Sequence, residues 1–201
     1  GEDPRGALEA RISEAKFPFV SANLVDNATG KLPAWPNLHA SALVDIAGIK
    51  VGVIGAATES TPYTTMPANF KGMSVAPPPK MIVAEAQALR AQGAQVIVVT
   101  AHIGSECTDL ENPDDVDSCD RKAELFSVID ALPPGTIDVF VAGHTHAAVA
   151  HKIDGVATIE SLSAGRAFGR VDLRVKAGKV AAATIHPPQL VCPLDKDHNP
   201  I

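Results

Sequence analysis

The sequence is poor in aromatic residues, in positive charge, in cysteine and in long apolar runs. Aromatics make up 4% of the 201 residues, with one Trp and one Tyr. Proteins that grip single strands or nucleobases stack them on aromatic rings, and this chain lacks such a platform. Its formal net charge of -6 offers no basic field to a nucleic-acid backbone or an anionic bilayer, so neither is expected as the main partner. No apolar run approaches the roughly 18 residues that span a membrane. The opening residues, GEDPRGALEARI, carry neither the basic cluster nor the apolar stretch of a signal peptide. The cysteines are Cys107, Cys119 and Cys192, and their spacing is too wide for the close pairs of a structural zinc site. Cys107 and Cys119 bracket an acidic loop, ECTDLENPDDVDSC. A disulfide closing that loop and two unpaired thiols both fit, the first requiring an oxidising compartment.

What is present is an ordinary globular balance, 46% hydrophobic and 20% charged, enough for a packed core. The length suits one domain and a short tail, which the pattern divides at residues 1–187 and 188–201. Leu8, Ile12 and Ala15 share a face at helical spacing, predicting a helix over 5–16 that stops before Pro18. FPFVSANLVD, residues 17–26, reads as a strand. ALVDIAGIKVGVIGAAT reads as a hairpin around Ala47-Gly48, its second arm buried on both faces. A loop-rich excursion leads to a helix over 80–92 that ends at Gly93. Buried strands follow at 94–102 and 136–142, with a helix carrying Leu125, Phe126, Ile129 and Leu132 between them. Two hairpins turning at Asp154-Gly155 and Ala177-Gly178 complete the chain. Strands alternating with helices predict an α/β layered sandwich with an antiparallel addition at the end.

Both buried strands end in histidine. His102 closes VIVVTAHIG, and DVFVAGHTH carries His144 and His146. Ligand sites of open α/β sheets collect at the carboxyl ends of strands. In an extended segment, side chains two apart point the same way, so both late imidazoles can face the cavity that His102 approaches. Neutral imidazole is the commonest side-chain metal ligand, and a glycine at 143 suits a sharp backbone turn beside the site. His102, His144 and His146 are therefore the candidate metal ligands. His39, His151, His186 and His198 pair with nothing at ligand spacing and read as surface or loop histidines. Arg166 and Arg170 read as solvated strand-edge residues, and Asn23 as a backbone-bonding turn residue. Ser161 and Ser163 lack the Gly-x-Ser-x-Gly elbow of a nucleophile.

VIVVTAHIG and DVFVAGHTH resemble the last two metal-binding motifs of the calcineurin-like metallophosphoesterases, especially the 5'-nucleotidase-type branch. FPFVSAN, GIKVGVIGAATESTP and GRAFGRVDLRV resemble that branch in the same order, so the likeness covers most of the chain. It implies an α/β/β/α sandwich, of which this chain is the C-terminal half of the catalytic domain, with 188–201 leading toward a separate C-terminal domain. It also implies two divalent ions, zinc, manganese, iron or cobalt, with His102 and His144 on one and His146 on the other. Ions roughly 3.5 to 4 Å apart supply a hydroxide and hold phosphoryl oxygens during in-line attack. The implied activity is hydrolysis of a small phosphate ester, a nucleotide phosphomonoester or cyclic phosphodiester, in the periplasm or outside the cell. The family's earlier motifs, Asp-x-His, Gly-Asp-x-x-Asp and Gly-Asn-His, are absent from the sequence. The expected partner is thus the missing N-terminal half of the domain, and the chain alone is expected to be inactive. The alternative is a non-catalytic interaction or scaffold module that keeps only the late motifs.

Overall fold

Three hairpin turns have positive φ at both central residues: Ala47-Gly48 (53° and 83°), Asp154-Gly155 (46° and 83°) and Ala177-Gly178 (51° and 75°). That geometry matches the right-handed twist of antiparallel strands, and glycine in the second position meets it without a Cβ penalty. The computed structural model describes residues 4–192. They form a mixed α/β structure and divide into two compact units, one up to Ala101 and one from His102 onward.

The first unit runs, in chain order, through α1 (Pro4–Glu14), β1 (Phe19–Val20), β2 (Leu24–Asp26), β3 (Leu38–His39), β4 (Ser41–Ile46), β5 (Ile49–Ala57), α2 (Thr61–Thr64), α3 (Pro67–Phe70), β6 (Met73–Val75), α4 (Pro78–Ala91) and β7 (Val96–His102). β7 ends on the first residue of the second unit. β4 and β5 form the expected hairpin, with β7 on the other side of β5. α4 packs on β5 through buried Ile82, Ala86 and Leu89. It opens on Pro78, where a missing N–H costs nothing, and closes at Gly93 (φ 93°), with Ala94 N–H donating to Leu89 O.

The single strand expected over 17–26 is divided in two. β1 pairs parallel with β3, whereas β2 pairs antiparallel with β6. Between them the fully buried Asn23 acts as a backbone surrogate. Its Nδ2 donates to Ala57 O and Ala76 O at 2.8 and 3.1 Å, and its Oδ1 accepts from Ala57 N–H at 2.8 Å. An amide side chain can satisfy donors and acceptors that a strand ladder would otherwise supply.

The second unit contains α5 (Glu124–Asp130), β8 (Val139–Val141), β9 (Ala148–Ile153), β10 (Val156–Ser161), β11 (Ala167–Lys176) and β12 (Lys179–Leu190). Leu125, Phe126, Val128 and Ile129 of α5 are buried. β10 lies between β8, to which it is parallel, and β9, to which it is antiparallel. This central position explains five successive buried residues, Val156–Glu160, where a one-faced strand would alternate. β11 and β12 form a long antiparallel hairpin whose register shifts twice. β12 reaches Leu190, three residues into the segment read as a tail, and 193–201 lie outside the described residues.

Cys107 and Cys119 are joined by a disulfide, and Cys192 is free and exposed. His39 is exposed, and His186 is half-buried beside Asp172 at 3.0 Å. His151 is no surface residue: it sits on β9, 1% exposed, with Nε2 2.9 Å from Asp109 O. His198 lies outside the described residues.

Candidate functional site

The second unit brings two chain segments together at the end of β8. His102, Ile103, Gly104 and Ser105 form one segment, and Gly143, His144, Thr145 and His146 the other. Gly143 N–H donates to Ile103 O at 3.1 Å, and the Thr145 hydroxyl lies 2.7 Å from Ser105 O. Across this seam His144 Nδ1 is 3.0 Å from His102 Nε2, with the rings edge to face and their centroids 4.6 Å apart. Ring nitrogens at that separation share one proton when neutral, or offer two lone pairs to one cation.

His102, His144 and His146 are exposed. The His102 imidazole is held below its ordinary pKa, first by partial burial and then by the repulsion of His144 and His146, which disfavours its cationic form. His146 thus lies within electrostatic reach of His102. The reason for this convergence differs from the one the sequence suggested. The segment is not extended: His144 has φ 92° and His146 φ 60°. A non-glycine residue in that region costs of order 1–3 kcal/mol, and such strain gathers where surrounding structure over-determines it.

What over-determines it is a group that the sequence reading passed over. Glu160, on β10, is 1% exposed. Its Oε1 is 2.7 Å from the Thr145 hydroxyl, and its Oε2 accepts from Ser105 N–H at 3.2 Å. The backbone N–H groups of Thr145 and His146 also favour the charged carboxylate. Burial raises the Glu160 pKa above the usual carboxylate range, against the opposing pull of the Thr145 hydroxyl and the three amides. A signal was available in VATIESL, where one acidic residue closes a run of buried-strand residues; acidic side chains are almost never fully buried unless partnered.

A second cluster lies in the same unit. Donor atoms of Cys107, Cys119 and His151 fall within 4.8 Å of one another. Thiolate is the form that binds metal, and both sulfurs are taken up in the disulfide. His151 Nδ1 is buried without a hydrogen-bond partner. Of the arginines near the late hairpin, Arg170 makes a two-pronged contact with Asp172 at 2.7 Å, and Arg166 bonds Ser163. Ser161 ends β10.

No protein-family model matches the chain. Among curated proteins it is 27% identical over 175 residues to the endonuclease YhcR of Bacillus subtilis, covering 87% of this chain and 13% of that protein. It is 29% identical over 150 residues to the 5'-nucleotidase of Vibrio cholerae, covering 72% and 24%. The chain thus spans a quarter or less of these curated relatives. Among solved structures, the calcineurin-like phosphoesterase YfkN of Bacillus subtilis superposes with a TM-score of 0.68 at 22% identity, covering 90% of this chain and 58% of that one. In sequence and in fold, therefore, the proteins this chain resembles are the 5'-nucleotidases and their calcineurin-like phosphoesterase relatives.

Proposed function

We propose that the chain supplies the late ligands of a metal-dependent phosphoesterase site, His102 and His144 to one divalent ion and His146 to a second. The observation that carries the reading is the 3.0 Å approach of His102 Nε2 to His144 Nδ1. Imidazole nitrogens bind zinc-like ions at about 2.0–2.1 Å. Two on one ion then lie about 2.8–3.4 Å apart for bond angles between a right angle and tetrahedral. The separation fits that bite, the rings are open to solvent, and the depressed pKa of His102 favours the neutral form that binds metal. The donor set suits zinc, manganese, iron or cobalt.

When bound, the ions would supply Lewis acidity toward a phosphoryl group and activate a nucleophile. The chain's own residues hold the two late imidazoles in an accessible turn and disfavour the cationic form of His102 beside them. The proposed substrate is a small phosphate ester, a nucleotide phosphomonoester or cyclic phosphodiester, a reading supported by the likeness to a 5'-nucleotidase. The described residues through Leu190, where β12 ends, would then be the later part of the catalytic domain. The disulfide supports export to the periplasm or cell exterior.

With none of the family's earlier carboxylate motifs in the sequence, the chain alone is expected to bind metal weakly and hydrolyse nothing. The same lack favours the second reading, a scaffold module without catalysis. Calorimetric titration with zinc, manganese and cobalt, beside turnover of a nitrophenyl phosphate ester, tests the proposal. Binding that disappears in His102→Ala, with no turnover, is the expected result. Absence of binding would overturn the metal assignment, and robust turnover by the purified chain the dependence on a missing half. A coding sequence carrying the three earlier motifs upstream of Gly1 would decide for the enzyme over the scaffold.

A further inference from the structure

We propose that Glu160 is the positioning residue of the histidine turn, a buried carboxylate clamp that holds the 143–146 turn against the 102–105 segment and so sets the distance between His102 and His144. The inference rests on the metal-site reading above and deepens it, but its first observations concern the protein alone.

Both carboxyl oxygens are engaged, and on different segments. Oε2 takes the backbone N–H of Ser105, three residues after His102. Oε1 takes the side chain of Thr145, the residue between the two late histidines, whose hydroxyl also lies 2.7 Å from Ser105 O. One side chain thus gathers partners from both segments that carry candidate ligands, and it does so while 1% exposed.

Gly104 gives an independent indication. Its φ is not in the left-handed region, so glycine is not needed there for backbone freedom. It is needed for room: a Cβ at 104 would strike the Glu160 carboxylate and the Gly143 carbonyl oxygen. The clamp draws three groups into a space that admits no methyl. Positive φ at His144 and His146 accords with such ties, because that conformation costs a non-glycine residue energy that surrounding contacts must offset.

A glutamine amide of the same shape keeps one acceptor for the Ser105 N–H, and its NH2 can donate to the Thr145 hydroxyl while that hydroxyl donates to Ser105 O, whereas a methyl can do neither. Partners that orient metal-bound histidines typically change affinity 10–100-fold when removed. Glu160→Ala is therefore expected to weaken cobalt binding by the full chain at least tenfold and to alter its visible absorption, which reports ligand geometry. Glu160→Gln should bind cobalt within about threefold of the parent chain. Thr145→Val, which removes one tie and keeps the buried acid, is the second variant should Glu160→Ala fail to fold, and an intermediate loss is expected. Amide hydrogen exchange at Thr145 and His146, compared with that in β9, gives a readout that needs no metal. Faster exchange confined to the turn in Glu160→Ala or Thr145→Val supports the clamp.

The outcomes separate the two readings. Cobalt binding lost in His144→Ala but unchanged in Glu160→Ala and Thr145→Val, with unchanged turn exchange, would sink the clamp and leave the metal site standing. No cobalt binding by the parent chain, with turn exchange still released by Glu160→Ala, would sink the metal site and leave the clamp. A loss in Glu160→Ala that Glu160→Gln fails to restore would refute positioning by shape and hydrogen bonding.

Discussion

Breaking the Cys107–Cys119 bridge should lower the stability of the second unit by about 3 kcal/mol, a figure that follows from loop length. The bridged residues are 12 apart in sequence. Closing a loop of that size removes about 9.5 cal/mol/K from the unfolded chain, or about 3 kcal/mol at room temperature. For a chain of about 150–250 residues each kcal/mol moves the midpoint by about 2–4 °C, so the Cys107→Ala/Cys119→Ala variant should melt about 6–12 °C lower. The loop is tied to the candidate site: Cys107 N–H donates to Ala148 O, and the Ser105 hydroxyl donates to Asp120 O, one residue beyond Cys119. Loosening the bridge should therefore also weaken cobalt binding by the histidines. Differential scanning calorimetry of the two chains, with thiol titration of the denatured, unreduced parent, measures both parts of the argument. One reactive thiol per chain, that of Cys192, is expected. Three reactive thiols, or a midpoint shift under about 2 °C, would refute the reasoning from loop closure.

Two further predictions concern the first unit and the late hairpin. A Cβ at Gly55 would collide with the Val20 carbonyl, whereas one at Gly52 meets the movable ends of Leu89 and Ile97 at 2.8 and 2.9 Å. Urea denaturation should therefore show Gly52→Ala within the ordinary overpacking cost of about 1–3 kcal/mol and Gly55→Ala beyond it; equal costs would contradict the geometry. Asp172 is held below the usual aspartate range by hydrogen bonds from Arg170 and then His186. Its folded pKa being depressed, the stability it contributes is present above the unfolded value and is lost as pH falls through the folded one. Carboxyl NMR titration should place Asp172 below an unpaired aspartate and move it upward in Arg170→Ala, and an unchanged titration would remove Arg170 as the cause.

Much of the fold was legible in the sequence because it rests on short-range rules. Ala47-Gly48, Asp154-Gly155 and Ala177-Gly178 could be read as hairpin turns since left-handed φ next to glycine is a local preference. The helix before Gly93 announced itself through leading prolines and a terminating glycine. The division of 17–26 was not legible. It depends on Asn23 bonding to residues 34 and 53 positions away, and nothing in FPFVSANLVD says that those carbonyls will be there. His151 was misread for the same reason. Its burial comes from β9 pairing with β10 and from the loop that supplies the Asp109 carbonyl.

At the site, the ligand candidates were legible and the device that orients them was not. His102, His144 and His146 stand out as a set, a close pair and a third histidine each following a buried-strand run, in motifs that resemble those of a known family. The inference from alternation in an extended strand failed, since the turn at 144–146 takes a conformation that residue type alone would reject. Local preference is overruled there by ties from 15, 40 and 55 residues away, the separations that link Glu160, Thr145 and Ser105. Of the non-glycine residues with positive φ, His144, His146, Leu162 and Ala164 lie in the turn or just after β10, and Leu162 N–H donates to Ala147 O at the end of the turn. At about 1–3 kcal/mol each, that strain is comparable to a domain's whole stability margin. It persists only because the surrounding hydrogen bonds and β10 packing form with it, so a chain scanned residue by residue identifies the histidines while their arrangement belongs to contacts that exist only once the second unit is folded.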